Sequence, residues 1–372
     1  MMEMKLKKMT ALLLALAMAF ALCACKPAAE DPSDSPSEEA SEAVQPSEEP
    51  SEEPSQAPSE EPSVEPSEAP VSTPDGEVRL AVLSGPTGVG AAKLLDSADN
   101  DPSSLHSSYS YTIAADNSEL VAGLSSGELD IATMASNAAV NLYNKTGGAV
   151  KIIALGTLGV LHILEGSGGT TVNSIADLSG KTIYSAGQGA NPEYILRYLL
   201  QENGVDDAEI VFADASEISA KLLSGDIQYA MLPVPAATAA IIKGEGSVRA
   251  AVDVTEAWDS LQNGSQLVMT AVVARTQFIE EHPELVSGFL DDYKDSISFV
   301  NSNIDAAAEL VAGYGITPNA AIAKQAIPQC HLTFISGADM LPAISDYFSV
   351  LYSLDPASVG GALPDDGIYY VP

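Results

Sequence analysis

The chain has 372 residues, with 51 acidic and 16 basic side chains and a formal net charge of −35. From Val78 onward there are still 34 acidic and 12 basic side chains, so the acidity is general and a phosphate backbone would be repelled, which excludes nucleic-acid binding. Beyond residue 25 the only cysteine is Cys330, and the four histidines (His106, His162, His282, His331) show no ligand-like spacing; an intrachain disulfide framework and a thiolate metal site are excluded, and no metal or cofactor is expected.

The N-terminus reads as an export signal. Lys5, Lys7 and Lys8 precede an apolar run from Thr10 to Leu22, the charge-then-apolar order of a secretory signal. At about 13 residues the run is short for a membrane span. It ends in Leu22-Cys23-Ala24-Cys25, which resembles a bacterial lipobox. The resemblance implies a signal peptide over 1–24 and lipidation, with palmitate among the acyl groups, at Cys25. The chain would then be anchored on the extracytoplasmic face of the cell membrane. An ordinary secretory signal cut nearby is the alternative. Residues 25–77 are expected to form a disordered Pro/Ser/Glu-rich tether, because units such as Ser47-Glu48-Glu49-Pro50 offer no apolar surface to offset chain entropy. Fully extended at ~3.1 Å per residue, about 45 of these residues would reach about 140 Å. An interaction tail or glycosylated stalk is the other reading.

From residue 78 the pattern alternates. Residues 78–83 predict a strand, 90–97 a helix, 129–134 a strand, 138–145 a helix and 150–155 a strand. Residues 181–184 predict a strand, 192–201 a helix with Pro192 in its first turn, and 210–212 and 227–232 further strands. Strands alternating with helices point to an α/β fold with parallel sheets.

A repeat runs through this region. Residues 118–132 (SELVAGLSSGELDIA) align without a gap to 216–230 (SEISAKLLSGDIQYA), with seven of fifteen pairs identical. Each copy reads as a helix, a glycine cap and a strand. A helix–glycine–strand corner arising twice by chance is the plainer reading. Two similar lobes would make a cleft, where ligands favour binding.

Several segments in order resemble the solute-binding components of ABC importers, in the nitrate, sulfonate, taurine and thiamine-precursor branch. They are Leu83-Ser84-Gly85-Pro86-Thr87-Gly88, Gly127-Glu128-Leu129-Asp130-Ile131-Ala132, Tyr143 to Gly148, Thr157 to Val160, Asp177 to Ile183, Gly187 to Tyr194 and Met231 to Pro235. The resemblance implies a type II periplasmic-binding-protein fold. Lobe one would comprise 78–160 and 268–372, and lobe two 161–267, joined by crossovers at 157–164 and 267–274. It also implies capture of a small molecule by lobe closure and delivery to an ABC permease. One departure is Val234, where relatives carry an acidic residue between two prolines.

Ligands of parallel α/β sheets sit beyond the carboxyl ends of strands. That selects Ser84, Gly85, Pro86, Thr87 and Gly88; Ser136 and Asn137; Gln188, Gly189, Ala190 and Asn191; and Pro233 and Pro235, with Thr157 added at the first crossover. Helix starts here would present free N–H groups. Each loop is equally compatible with a plain turn and helix cap. None contains Arg or Lys, which points to a neutral or weakly anionic ligand, a heterocycle being one candidate. Tyr184, Tyr194, Tyr229 and Trp258 are the aromatic candidates. There is no Gly-x-Ser-x-Gly elbow and no metal-ligand pair, and no histidine lies near a strand-end loop, so an enzyme is not expected. An enzyme on the same fold and a surface sensor or adhesin are the alternatives.

Overall fold

The computed structural model describes residues 76–372; the signal peptide, Cys25 and nearly all of the tether expectation lie outside the described residues. The elements run β1 (Glu77–Leu83), α1 (Pro86–Asn100), β2 (Ser108–Ala114), α2 (Asn117–Ser126), β3 (Ile131–Ala135), α3 (Ser136–Thr146) and β4 (Val150–Leu158). Next come β5 (Leu161–Glu165), β6 (Thr182–Ser185), α4 (Asn191–Glu202), β7 (Glu209–Phe212), α5 (Ala215–Ser224), β8 (Tyr229–Pro233), α6 (Ala236–Lys243), β9 (Arg249–Asp253) and α7 (Val254–Asp259). The chain closes with β10 (Val268–Arg275), α8 (Thr276–Glu281), α9 (Pro283–Ser302), α10 (Ile304–Gly313), α11 (Ala320–Ala326), β11 (Leu332–Ser336) and α12 (Met340–Leu354).

These strands build two sheets, β11-β4-β10-β3-β1-β2 and β7-β6-β8-β5-β9. The second repeats the first. β1 pairs in parallel with β2 and β3, and β6 does so with β7 and β8. β3 then meets β10 antiparallel, as β8 meets β5. The repeat read in the sequence lies on equivalent elements. α2 and α5 end on Gly127 and Gly225, at φ 78° and 81°. A residue with a Cβ is strained at such angles.

The sheets are mixed rather than parallel. β10 and β5 each enter a sheet directly after a crossover, at the edge where their neighbouring strands end, and so must run against those neighbours; β11 likewise runs against β4. The first connection is shorter than expected and the second is displaced. Only Gly159 and Val160 separate β4 from β5, and the apolar run 268–274 is the body of β10, which leaves 260–267 as the second crossover. Both crossovers therefore attach to the carboxyl edges of both sheets, and those edges face one another across them.

Trp258 lies at this junction, fully buried. Its ring is 5.0 Å from Tyr198 of α4 and 5.7 Å from Tyr347 of α12. Its indole N–H donates to the Ser265 carbonyl on the second crossover, at 3.2 Å. Burying so large a ring against groups from several segments ties the sheets together.

Candidate functional site

The strand-end loops fall into two equivalent pairs. Ser84 and Gly85 link β1 to α1 as residues 186–190 link β6 to α4. Ser136 opens α3 directly after β3, and Val234-Pro235 joins β8 to α6. No side chain caps the N-terminus of α1, α3, α4 or α6. Asp116, Asp253 and Asn319 cap α2, α7 and α11, while α5, α8, α9, α10 and α12 are uncapped like the site helices. Uncapped helix starts leave backbone N–H groups available to a ligand or water.

One cluster of the expected residues is brought together between the sheets. The Asn191 amide donates to Ser136 Oγ at 3.0 Å and to the Met269 carbonyl at 2.7 Å, and its Oδ1 accepts from the Tyr347 hydroxyl at 3.0 Å. Ser136 Oγ donates to the Val268 carbonyl at 2.6 Å. The Asn137 amide donates to the Gly189 carbonyl at 3.2 Å and, more weakly, to the Ser358 carbonyl at 3.4 Å. Asn191 therefore spends both donors and one acceptor position on protein partners beside the second crossover.

The remaining expected residues are placed differently. Thr87 is buried, but its hydroxyl donates back to the Leu83 carbonyl. Gly85 sits at φ 99°, and Gly88 packs so that a Cβ would come within 3.1 Å of Ile316. Pro86 fills the first turn of α1. Ser84 and Gln188 are exposed. Ala190 closes a tight turn onto the Gly187 carbonyl at 3.1 Å, while the Gly189 N–H donates to Glu193 at 2.8 Å. Pro233 pairs with Leu161, and Pro235 is buried beside it, so this loop lies against the first crossover; Val234 N donates to the Val160 carbonyl at 2.9 Å. Thr157 is fully buried at the end of β4.

Among the described residues, six buried polar side-chain atoms have no hydrogen-bond partner: Asn137 Oδ1, Thr157 Oγ1, His162 Nδ1, Thr238 Oγ1, Thr270 Oγ1 and Ser358 Oγ. Such groups are uncommon, because each carries a desolvation cost that nothing repays. Here they lie on segments that border the facing edges. Asn137 is in the first turn of α3, and Ser358 lies in the turn packed on that helix. Thr157 and Thr270 flank the crossovers, His162 is in β5 just past the first crossover, and Thr238 is in the first turn of α6. His162 Nδ1 stays 3.9 Å from Asp253. Burial holds the imidazole below its ordinary pKa, which favours the neutral ring.

Thr238, Thr270, His162 and Ser358 were not singled out by sequence reasoning. Threonine and serine in apolar runs carry no local signal; only their missing partners mark them. Three of the four aromatic candidates are engaged elsewhere: Lys221 lies over the Tyr184 ring at 5.6 Å and Lys181 over Tyr229 at 5.1 Å, and Trp258 is buried in the joint; Tyr194 is half-buried on α4. Among the described residues, no group of three or more metal-ligating side chains comes together.

A family model described as "NMT1/THI5 like" matches residues 110–307, just over half the chain. No curated protein matches significantly. The chain is similar in structure to an ABC transporter from Parabacteroides distasonis, at 24% identity, TM-score 0.66, with 80% of this chain and 99% of that one covered. It is similar to the periplasmic aliphatic sulphonate binding protein SsuA from Escherichia coli, at 16% identity, TM-score 0.62, covering 80% and 92%. The alkanesulfonate-binding protein SsuA from Xanthomonas axonopodis pv. citri, bound to MOPS, matches at 14% identity, TM-score 0.60, covering 79% and 96%. At these identities the likeness establishes the two-lobed periplasmic-binding fold.

Proposed function

Because the chain belongs to the NMT1/THI5-like family, we propose that it is an extracytoplasmic solute-binding protein that closes its lobes over one small molecule and delivers it to an ABC permease. The observation that carries this reading is the set of unpartnered polar atoms on segments bordering the facing sheet edges. A bound solute would supply their missing hydrogen bonds. The same atoms describe the solute. Hydroxyls can donate or accept, while Asn137 Oδ1 needs a donor. A neutral or weakly anionic molecule bearing both an N–H or O–H group and an acceptor fits them. The sulfonate carried by some structural relatives would arrive with a full charge, and the strand-end loops offer no Arg or Lys to meet it.

In this reading the lobes are 78–160 with 268–372, and 161–267. Closure turns on Gly159 and Val160 and on the 260–267 segment. Gly159 suits a hinge under close packing, since a Cβ there would fall 2.2 Å from Thr255 Oγ1. The lipid on Cys25 would hold the receptor at the outer face of the membrane, and the tether would set its range.

The test is calorimetry against thiamine, riboflavin, uracil, cytosine, taurine, ethanesulfonate and N-acetylated amino acids. Saturable binding without chemical change of the compound is expected, with compaction in small-angle scattering. Turnover of any compound would replace this reading with an enzyme. For the anchor, Cys25→Ser protein should leave the membrane fraction; full retention there would remove lipidation from the account.

A further inference from the structure

Thr270 and Thr157 are direct partners across β10 and β4, and both hydroxyls lack a partner at 93% burial or more, being 7% and 0% exposed. The ladder slips at this point: Thr270 pairs with Thr157, but Ala271 pairs with Leu155. Gly156 is therefore the extra residue of a β-bulge. Bulges re-aim side chains and recur beside functional sites.

Gly156 lacks a side chain, and the Tyr293 hydroxyl takes up the room this leaves. A Cβ at this position would lie 2.8 Å from the Tyr293 hydroxyl and 3.3 Å from Thr270 Oγ1. Tyr293 is held in place, stacked on Phe289 at 5.6 Å with 12° between the rings, and only 1% exposed. Its hydroxyl also comes within 3.5 Å of where a Cβ of Gly90 would stand, on α1. Two glycines thus make room for one phenol group beside an unpartnered threonine. Burial raises the Tyr293 pKa well above its ordinary value, so the group is a neutral donor at any ordinary pH. Basic residues of the same elements are elsewhere: Lys93 pairs with Asp96 and Arg275 with Asp130, Lys151 is at the far end of β4, and Lys294 is exposed.

We propose that the Thr270 and Tyr293 hydroxyls, brought side by side at the Gly156 bulge, form a subsite for an oxygen atom on an uncharged group, a carbonyl or hydroxyl. Two neutral donors meet an acceptor well, and without a nearby cation a charged oxygen would lose its hydration uncompensated. The inference rests on the solute-binding reading and names the polar feature that its solute must carry.

The experiment compares wild type with Thr270→Val, Thr270→Ser and Tyr293→Phe, using uracil, cytosine, thiamine, riboflavin, taurine and ethanesulfonate as probes. Melting temperature without a probe is read first. Thr270→Val should leave it unchanged or raise it, because it removes an unpaid hydroxyl. A clear fall means that the hydroxyl is engaged structurally, which overturns the subsite. Affinity is read next, for the tightest wild-type binder. Thr270→Val and Tyr293→Phe should each weaken it about tenfold or more, with Thr270→Ser restoring it. Binding unchanged in both variants, or strongest for ethanesulfonate or taurine, overturns the subsite and leaves solute binding standing. If no probe binds the wild type, the solute-binding reading fails and the subsite falls with it.

Discussion

Just before β3, in the first sheet, stands Asp130, 2% exposed, held by the Arg79 Nε at 2.8 Å and the Arg275 Nη2 at 2.7 Å. The equivalent position in the second sheet, just before β8, is Gln228, whose carbonyl accepts from Gly166 N at 2.8 Å. The buried carboxylate of that lobe is Glu165 instead, at the end of β5. It accepts from Thr171, Val172 and the Arg249 guanidinium, the last at 2.6 Å. The strand order is thus duplicated and the polar fastening is not. A sheet order follows from the repeated helix–glycine–strand corner, whereas a buried charge needs partners from distant segments, and each lobe has its own. The contrast continues at the facing edges. Four of the six unpartnered atoms lie on first-lobe segments, while the second lobe's Asn191 has its amide fully spent.

The largest effect is expected where the lobes share one residue. Trp258→Ala removes a fully buried ring between Tyr198 and Tyr347, and should cost about 4 kcal/mol in urea unfolding. A cost below about 1 kcal/mol would show that the two lobes are stabilised independently. Next is the second lobe's fastening. Glu165→Gln leaves Arg249 without its charge partner and should cost about 3 kcal/mol. Burial by itself would raise the Glu165 carboxyl, but hydrogen bonds from Thr171, Val172 and Arg249 outweigh it and bring the pKa to about 2. An unfolded glutamate takes its proton near pH 4.3. The stabilisation is therefore complete above that value and is lost as pH falls towards 2. Wild-type melting temperature should decline across this window, and the decline should flatten in Glu165→Gln. An equal slope in both would assign the acid sensitivity to other carboxylates.

Smaller effects distinguish a joint from a cleft. Asn191→Ala unpairs the Tyr347 hydroxyl and the Met269 carbonyl and should cost about 2 kcal/mol, with faster hydrogen exchange in α12. Weaker solute binding at unchanged stability would instead make Asn191 a ligand contact. Gly159→Ala brings a methyl onto Thr255 and should cost about 1.5 kcal/mol, part of it returned by adding Thr255→Ala. No recovery in the double variant would place the strain in the hinge backbone.

Much of the frame could be read from the chain. Alternation gave the central strands to within a few residues, and the offset repeat located α2–β3 and α5–β8. β2 is not legible in this way, because the half-exposed run Ser108–Ala114 has no continuous apolar stretch. The run 267–274 reads as a crossover in sequence, since an apolar segment does not announce its neighbours; only the pairing of β10 with β3 and β4 makes it a central strand. The site was less legible. Ser136 and Asn137 could be inferred from their strand end, and they do meet Gly189 and Asn191. Thr270 and Ser358 could not, because their significance is a missing partner in three dimensions. Thr87 shows the opposite case: a hydroxyl at the right strand end that bonds its own helix.

Trp258 has an optical consequence. It is the only tryptophan in the chain, among 13 tyrosines, and it touches rings carried by both sides of the joint. Red-edge excitation therefore reports on a single indole, with no second emitter to average against. If the lobes turn about the crossovers, the spacing to Tyr198 or Tyr347 and the bond to Ser265 must change, and emission wavelength and quenching with them. The unlabelled protein carries its own gauge of lobe position, readable in stopped flow while a solute enters.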